Sequence, residues 1–116
     1  MSNLLNSFAF AFKGVAQTIR DERSVQLQLL AAIGVVAFGA VVGLSAVEWA
    51  LVALCCGSVL GAELLNTAIE HVVDLASPEW NELAGRAKDA AAGGVLVVSL
   101  AAAIVGLVVF VPKLVG

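Results

Sequence analysis

The sequence predicts an all-α integral membrane protein with three transmembrane helices, preceded by an amphipathic helix on the membrane surface. Three observations carry this. Of 116 residues, 61% are hydrophobic and 13% charged, against roughly 45–50% and about 25% in soluble domains. So short a chain cannot hide that much apolar surface in a core of its own, because small domains bury the smallest share of their area. The apolar residues also fall into three long runs separated by polar joints. A single domain over residues 1–116 is expected. This composition excludes a secreted disulfide scaffold, a disordered chain and a nucleic-acid module. A net charge of −3 presents no polycationic surface to a phosphate backbone.

The first element, residues 2–20, differs from the rest. Leu4, Leu5, Phe8, Phe12, Val15 and Ile19 recur at helical spacing on one face, while Asn3, Asn6, Lys13, Gln17 and Arg20 fall mostly elsewhere. Such a helix suits the interface plane, as an anchor or as a platform over a membrane-surface site. The three apolar runs follow at 27–47, 49–69 and 90–111. Each has about 21 residues, which at about 1.5 Å per residue spans the roughly 30 Å hydrocarbon core. A cleaved signal peptide is not expected, since the first run is too long and starts too late.

Basic residues set the orientation. Lys13, Arg20 and Arg23 precede the first span, Arg86 and Lys88 lie between the second and third, and the joint between the first two has none. The N-terminus and the 71–89 segment are therefore expected on the cytoplasmic side. Trp49 and Trp80 suit the interfacial belts on opposite sides. Ser77-Pro78-Glu79 reads as a helix start, with Ser77 as N-cap and Pro78 as the first helical residue. The second helix then extends to about Ala76, and a new helix from Pro78 leads into the third span. Adjacent Cys55 and Cys56 read as small apolar side chains, because neighbouring cysteines rarely meet disulfide geometry.

The chemistry resides in carboxylates placed where they are costly. Glu63 and Glu70 lie on the second helix, in or near the apolar zone, where a carboxylate costs about 2.5–3.5 kcal/mol on insertion scales. At about 100° per residue, Glu63, Asn66, Glu70 and Asp74 fall at about 0°, 300°, 340° and 20°, on one face about 80° wide. Glu70 sits about 10 Å along the axis from Glu63, towards the cytoplasm. Stacked acids need counter-charge. It can come from Arg23, Arg86 and Lys88, or from a hard divalent cation such as Mg²⁺, which takes one or two carboxylates together with substrate phosphates. On the residues alone three readings stay open: polar glue between helices through Asn66 and Thr67, a cation or proton conduit, and a metal site acting on phosphates. His71, about 100° off the acidic face, reads as an interfacial polar residue. No Walker lysine loop and no GxGxxG motif is present.

The run Ala62-Glu63-Leu64-Leu65-Asn66-Thr67-Ala68-Ile69-Glu70, followed by Val73-Asp74, closely resembles the prokaryotic diacylglycerol kinase family. Ser77-Pro78-Glu79 and Gly85-Arg86-Ala87-Lys88-Asp89 add to the likeness. With Lys13-Gly14 and Asp21-Glu22, the resemblance covers nearly the whole chain. The family comprises small integral-membrane lipid kinases, unrelated to soluble kinases. The resemblance implies a homotrimer in the bacterial cytoplasmic (inner) membrane, with ATP- and Mg²⁺-dependent active sites between subunits on the cytoplasmic side. It implies Glu63 as general base, Glu22 and Glu70 as metal ligands, and Asn66 as an active-site amide supported by Asp74 and Arg86. Glu22, Glu70, Glu79, Lys88 and Asp89 match nucleotide-contacting positions. So do Phe10 and Asn81, where the family carries a hydroxylated aromatic and a histidine. The link between Glu22 and the acidic face rests on the resemblance alone.

The chain departs from the family at Asn3, where an arginine is usual, and at Ser24, Gln26 and Gln28, where related undecaprenol kinases often carry Asn, Arg and His. Two acceptors are implied: diacylglycerol, giving phosphatidic acid, or undecaprenol, giving undecaprenyl phosphate. Val47-Glu48-Trp49 and Phe110-Val111-Pro112-Lys113 look more like the undecaprenol branch.

Overall fold

The computed structural model describes residues 2–116, so Met1, the first residue of the expected domain, lies outside it. Four helices follow in order: α1 (Ser2–Asp21), α2 (Arg23–Val42), α3 (Ala46–Ala76) and α4 (Glu82–Val115). Three of them, α2, α3 and α4, are long and apolar enough to cross a membrane. α3 and α4 pack most extensively; α2 lies against α3, and α1 touches α2 and α3 but not α4. Few side chains are buried within the chain: Val25, Val52 and Val109 form its apolar core. That sparse core follows from the solvent, because lipid covers the outward faces of membrane helices as well as a protein core would.

One residue separates α1 from α2. Glu22 is extended (φ −112°, ψ 116°). Its N–H donates to Thr18 O at 2.8 Å, and the Gln26 N–H donates to Glu22 O at 3.1 Å. The Gln26 side chain turns back to donate to Ile19 O at 2.8 Å and Arg20 O at 3.1 Å. Orphan carbonyls at the end of α1 thereby find a partner in the first turn of α2.

The helix built from the first apolar run ends at Val42, although that run continues to Val47. Gly43 has φ +78°, the sole positive φ among the described residues, which glycine adopts without steric cost. Ser45 then caps α3 in a reciprocal box: its Oγ accepts from Glu48 N at 3.2 Å, and Glu48 Oε1 accepts from Ser45 N at 2.9 Å. Ala46 and Val47 therefore belong to α3. Lys113 Nζ lies 2.9 Å from the same Glu48 oxygen and ties α4 to this end of the bundle.

The α2–α3 hairpin closes tightly. A Cβ on Gly39 would sit 2.8 Å from Leu44 Cδ1 and 3.0 Å from the Trp49 ring. Gly39→Val is expected to destabilise the protein by about 1–3 kcal/mol, as overpacking does, read as a lower unfolding midpoint in detergent. Gly34, with nothing within 4 Å of its Cβ position, is the control. Gly34→Ala should be neutral or stabilising by up to about 1 kcal/mol.

The Ser77-Pro78-Glu79 segment corrects the expected helix start. Ser77 closes α3, its N–H donating to Val73 O at 2.8 Å, and its hydroxyl donates to Glu79 O at 3.0 Å. Residues 78–81 are not helical, so Ser77 caps no following helix. Asn81 caps α4 instead, its Oδ1 accepting from Leu83 N at 2.9 Å and Ala84 N at 3.2 Å. Asparagine caps as well as serine, so the start moves from Pro78 to Glu82. From there α4 runs unbroken to Val115.

Cys55 and Cys56 are free thiols. Cys56 lines an apolar cleft of ≈ 300 Å³ between α2, α3 and α4, with Val52, Val59, Ser99 and Gly106.

Candidate active site

α3 is built to carry polar groups out of the apolar zone. Its 31 residues extend about 46 Å, some 16 Å more than a hydrocarbon core requires. Nothing between Ile69 and Ala76 breaks the helix before Pro78. Counted from Ala46, Glu63 lies about 26 Å along the axis and Glu70 about 36 Å. For a membrane-sized layer that starts at Ala46, Glu63 lies near the far edge and Glu70 and Asp74 beyond it.

Exposure follows the same order. Glu63 and Asn66 are buried, at 6% and 8% exposure, Glu70 is half-buried and Asp74 is exposed. Thr67 shares the buried tier, its hydroxyl donating to Glu63 O at 3.0 Å. Asn66 Nδ2 donates to Glu70 Oε1 at 2.8 Å. A carboxylate only accepts, so the amide must turn its nitrogen to Glu70. Asn66 Oδ1 is consequently a buried acceptor without a partner. Buried acceptors in folded proteins are ordinarily paired; among the described residues Ser99 Oγ, in the apolar cleft, is the other buried polar side-chain atom without a partner. Among the described residues, no hydrogen bond or ion pair engages the Glu63 carboxylate.

Neighbouring elements add three groups. Lys88, on the first turns of α4, pairs with Asp74 at 2.8 Å. The Asp74 carboxylate, through its hydrogen bond and its charge, raises the Lys88 ammonium above the ordinary lysine range, and Glu70 adds to this. Glu22 Oε1 lies 3.2 Å from His71 Nε2. This contact brings the α1–α2 joint to the residue beside Glu70.

Not every expected residue joins the cluster. Of the three expected counter-charges, only Lys88 pairs with the acidic face; Arg23 and Arg86 form no ion pair among the described residues. Glu79, Asp89 and Arg86 are exposed around the start of α4. Asn81 is there too, with its carbonyl oxygen spent on the helix cap. Phe10 is 71% exposed on α1, a helix that does not touch α4. The contact that sequence reasoning missed is His71 with Glu22. At a sequence separation of 49, no periodicity reveals it.

The donor set bears on magnesium. Among the described residues, no three His, Cys, Asp or Glu side chains gather closely enough to hold a metal by themselves. Glu70 and Glu22 each have one oxygen engaged by a neighbour. Such a set suits an ion that arrives with phosphates and takes one or two carboxylates.

Comparison with known proteins agrees with this architecture. A profile described as "Prokaryotic diacylglycerol kinase" matches residues 9–110. An undecaprenol kinase of Bacillus subtilis is 44% identical over 114 residues, 98% of this chain and 93% of the relative. A diacylglycerol kinase of Synechocystis is 40% identical over 113 residues, 97% of this chain and 65% of that longer relative. A diacylglycerol kinase of Haemophilus influenzae is 31% identical over 108 residues, 93% of this chain and 89% of the relative. The match spans all four helices and the acidic column of α3, and on that ground the chain belongs to the prokaryotic diacylglycerol kinase family and is a lipid kinase.

Proposed function

We propose that the protein transfers the γ-phosphoryl group of ATP to the hydroxyl of a membrane lipid alcohol on the cytoplasmic side of a bacterial inner membrane. The observation that carries this is the α3 column: a buried glutamate without a partner, a buried amide with a free acceptor, and a half-buried glutamate nearer the cytoplasmic end. Glu63 takes the proton of the lipid hydroxyl as its oxygen bonds to the γ-phosphorus and the β–γ bridging bond breaks, with ADP leaving. Asn66 Oδ1 is placed to receive a hydrogen bond at the reacting end. Lys88 offers its ammonium to the phosphates once they compete with Asp74 for it. Glu79 and Asp89, with Asn81 Nδ2, line the nucleotide's side of the site, and Arg86 lies among them.

Glu70 and Glu22 would hold Mg²⁺, whose charge offsets that developing on the β- and γ-phosphates. Helix α1 would lie in the membrane interface with Leu4, Leu5, Phe8 and Phe12, all exposed in the chain, in the lipid. The working unit we propose is a homotrimer. In support, α1 and α4 of one chain do not meet, so a neighbouring α1 suits the task of bringing Phe10 to the Glu79–Asp89 group.

For the acceptor we propose undecaprenol. The likeness to an undecaprenol kinase supports this. So does the Glu48–Lys113 pair, which joins the two segments that most resemble that branch. Purified protein with labelled ATP and equal amounts of diacylglycerol and undecaprenol is expected to phosphorylate undecaprenol at least ~10-fold faster, about 1.4 kcal/mol of transition-state preference. Equal rates, or a preference for diacylglycerol, would overturn that assignment. Transfer to neither lipid would overturn the kinase reading.

A further inference from the structure

We propose that His71 is a positioning residue. It holds the Glu22 carboxylate against the turn of α3 that carries Glu70, so that the nucleotide's metal meets Glu22 already oriented. This rests on the kinase reading above and adds a residue to it.

Glu22 occupies the N-cap position of α2, where a short polar side chain such as Ser or Asp would cap the first free amides. It makes no such bond. The side chain reaches across to α3, where His71 Nε2 lies 3.2 Å from Oε1. A carboxylate cannot donate, so Nε2 carries the hydrogen. Among the described residues, this is the one side-chain polar link between the α1–α2 joint and α3. His71 sits about 100° around α3 from Glu70, so it reaches Glu22 without entering the acidic column. It engages a single oxygen of Glu22.

Gln26 stiffens the same joint from behind by fastening Ile19 O and Arg20 O to the first turn of α2. Left alone, a glutamate on a one-residue joint samples many rotamers, and ordering so long a side chain costs conformational entropy. The histidine removes that cost before the nucleotide arrives.

The test uses the full chain in lipid micelles. His71 is the only histidine, so ¹⁵N-imidazole spectra report one side chain, and Glu22→Gln is expected to shift its Nε2 resonance. His71→Phe should raise the KM for Mg·ATP by about 10- to 100-fold, the range of groups that orient metal ligands. Because uniform binding is lost, kcat should stay within about 2-fold. His71→Gln, which keeps a side-chain N–H, should recover most of the loss. In a Glu22→Gln background, His71→Phe should add nothing further, since coupled residues are not additive. An imidazole spectrum indifferent to Glu22→Gln, or a His71→Phe effect undiminished in the Glu22→Gln background, would overturn the role of His71 while leaving the kinase reading intact. An unaltered protein that transfers no phosphate would overturn the kinase reading itself, and with it any role for His71 in nucleotide binding.

Discussion

Glu63→Gln is expected to lower phosphotransfer by about 10²–10⁴-fold, the usual worth of a positioned general base, while the protein assembles and binds Mg·ATP normally. The substitution is nearly isosteric and removes a charge from a site that is 6% exposed, so stability in detergent should hold or rise. Nucleotide affinity should hold too, because Glu63 lies about 10 Å along α3 from Glu70. The loss should therefore appear in kcat, with KM for ATP nearly unchanged. This pattern separates the kinase from a conduit. In a conduit Glu63 relays ions, the unaltered protein makes liposomes leak without nucleotide, and Glu63→Gln stops the leak. A kinase gives tight liposomes before and after the change. Wild-type transfer rates in the Glu63→Gln protein would remove Glu63 from the chemistry.

The parts of this molecule visible in its sequence are those governed by local periodicity. Three apolar runs gave three long helices, because a bilayer demands about 20 apolar residues wherever a helix crosses it. The acidic face followed from 3.6-residue geometry, and Asn66 does reach Glu70 one turn away. What stayed hidden was set by competition or by distance along the chain. Ser77 and Asn81 are both good caps, and the choice between them is made by the non-helical backbone at 78–81, which leaves the first free amides to Asn81. The end of α2 was blurred because Gly43, Leu44 and Val47 continue the apolar run through a turn. Lys88 could be offered as counter-charge to the acids, but its choice of Asp74 depends on how α3 packs against α4. Glu22 and His71 are adjacent only after the chain has crossed the bundle twice, so their contact belongs to the tertiary structure alone.

Glu70→Gln separates the metal site from simple polar glue, because it keeps the hydrogen bond and removes the charge. A glutamine Oε1 still accepts from Asn66 Nδ2, as Glu70 Oε1 does at 2.8 Å. If the pair only fastens helices, the variant should match the unaltered protein in stability and in rate, and Asn66→Ala should be the damaging change. If Glu70 holds magnesium, catalysis should fall by about 10²–10³-fold, as when one preorganised electrostatic contact to a transition state is lost. The Mg²⁺ concentration giving half-maximal rate should rise about 10-fold or more, since half of a two-carboxylate ligand set has gone. High Mg²⁺ should then recover part of the rate. The single-chain geometry supports the second outcome: structural glue tends to satisfy its own polar atoms, yet Asn66 Oδ1 is buried without a partner and Glu70 has one oxygen committed. Unchanged magnesium dependence in Glu70→Gln would show that this column binds helices rather than an ion.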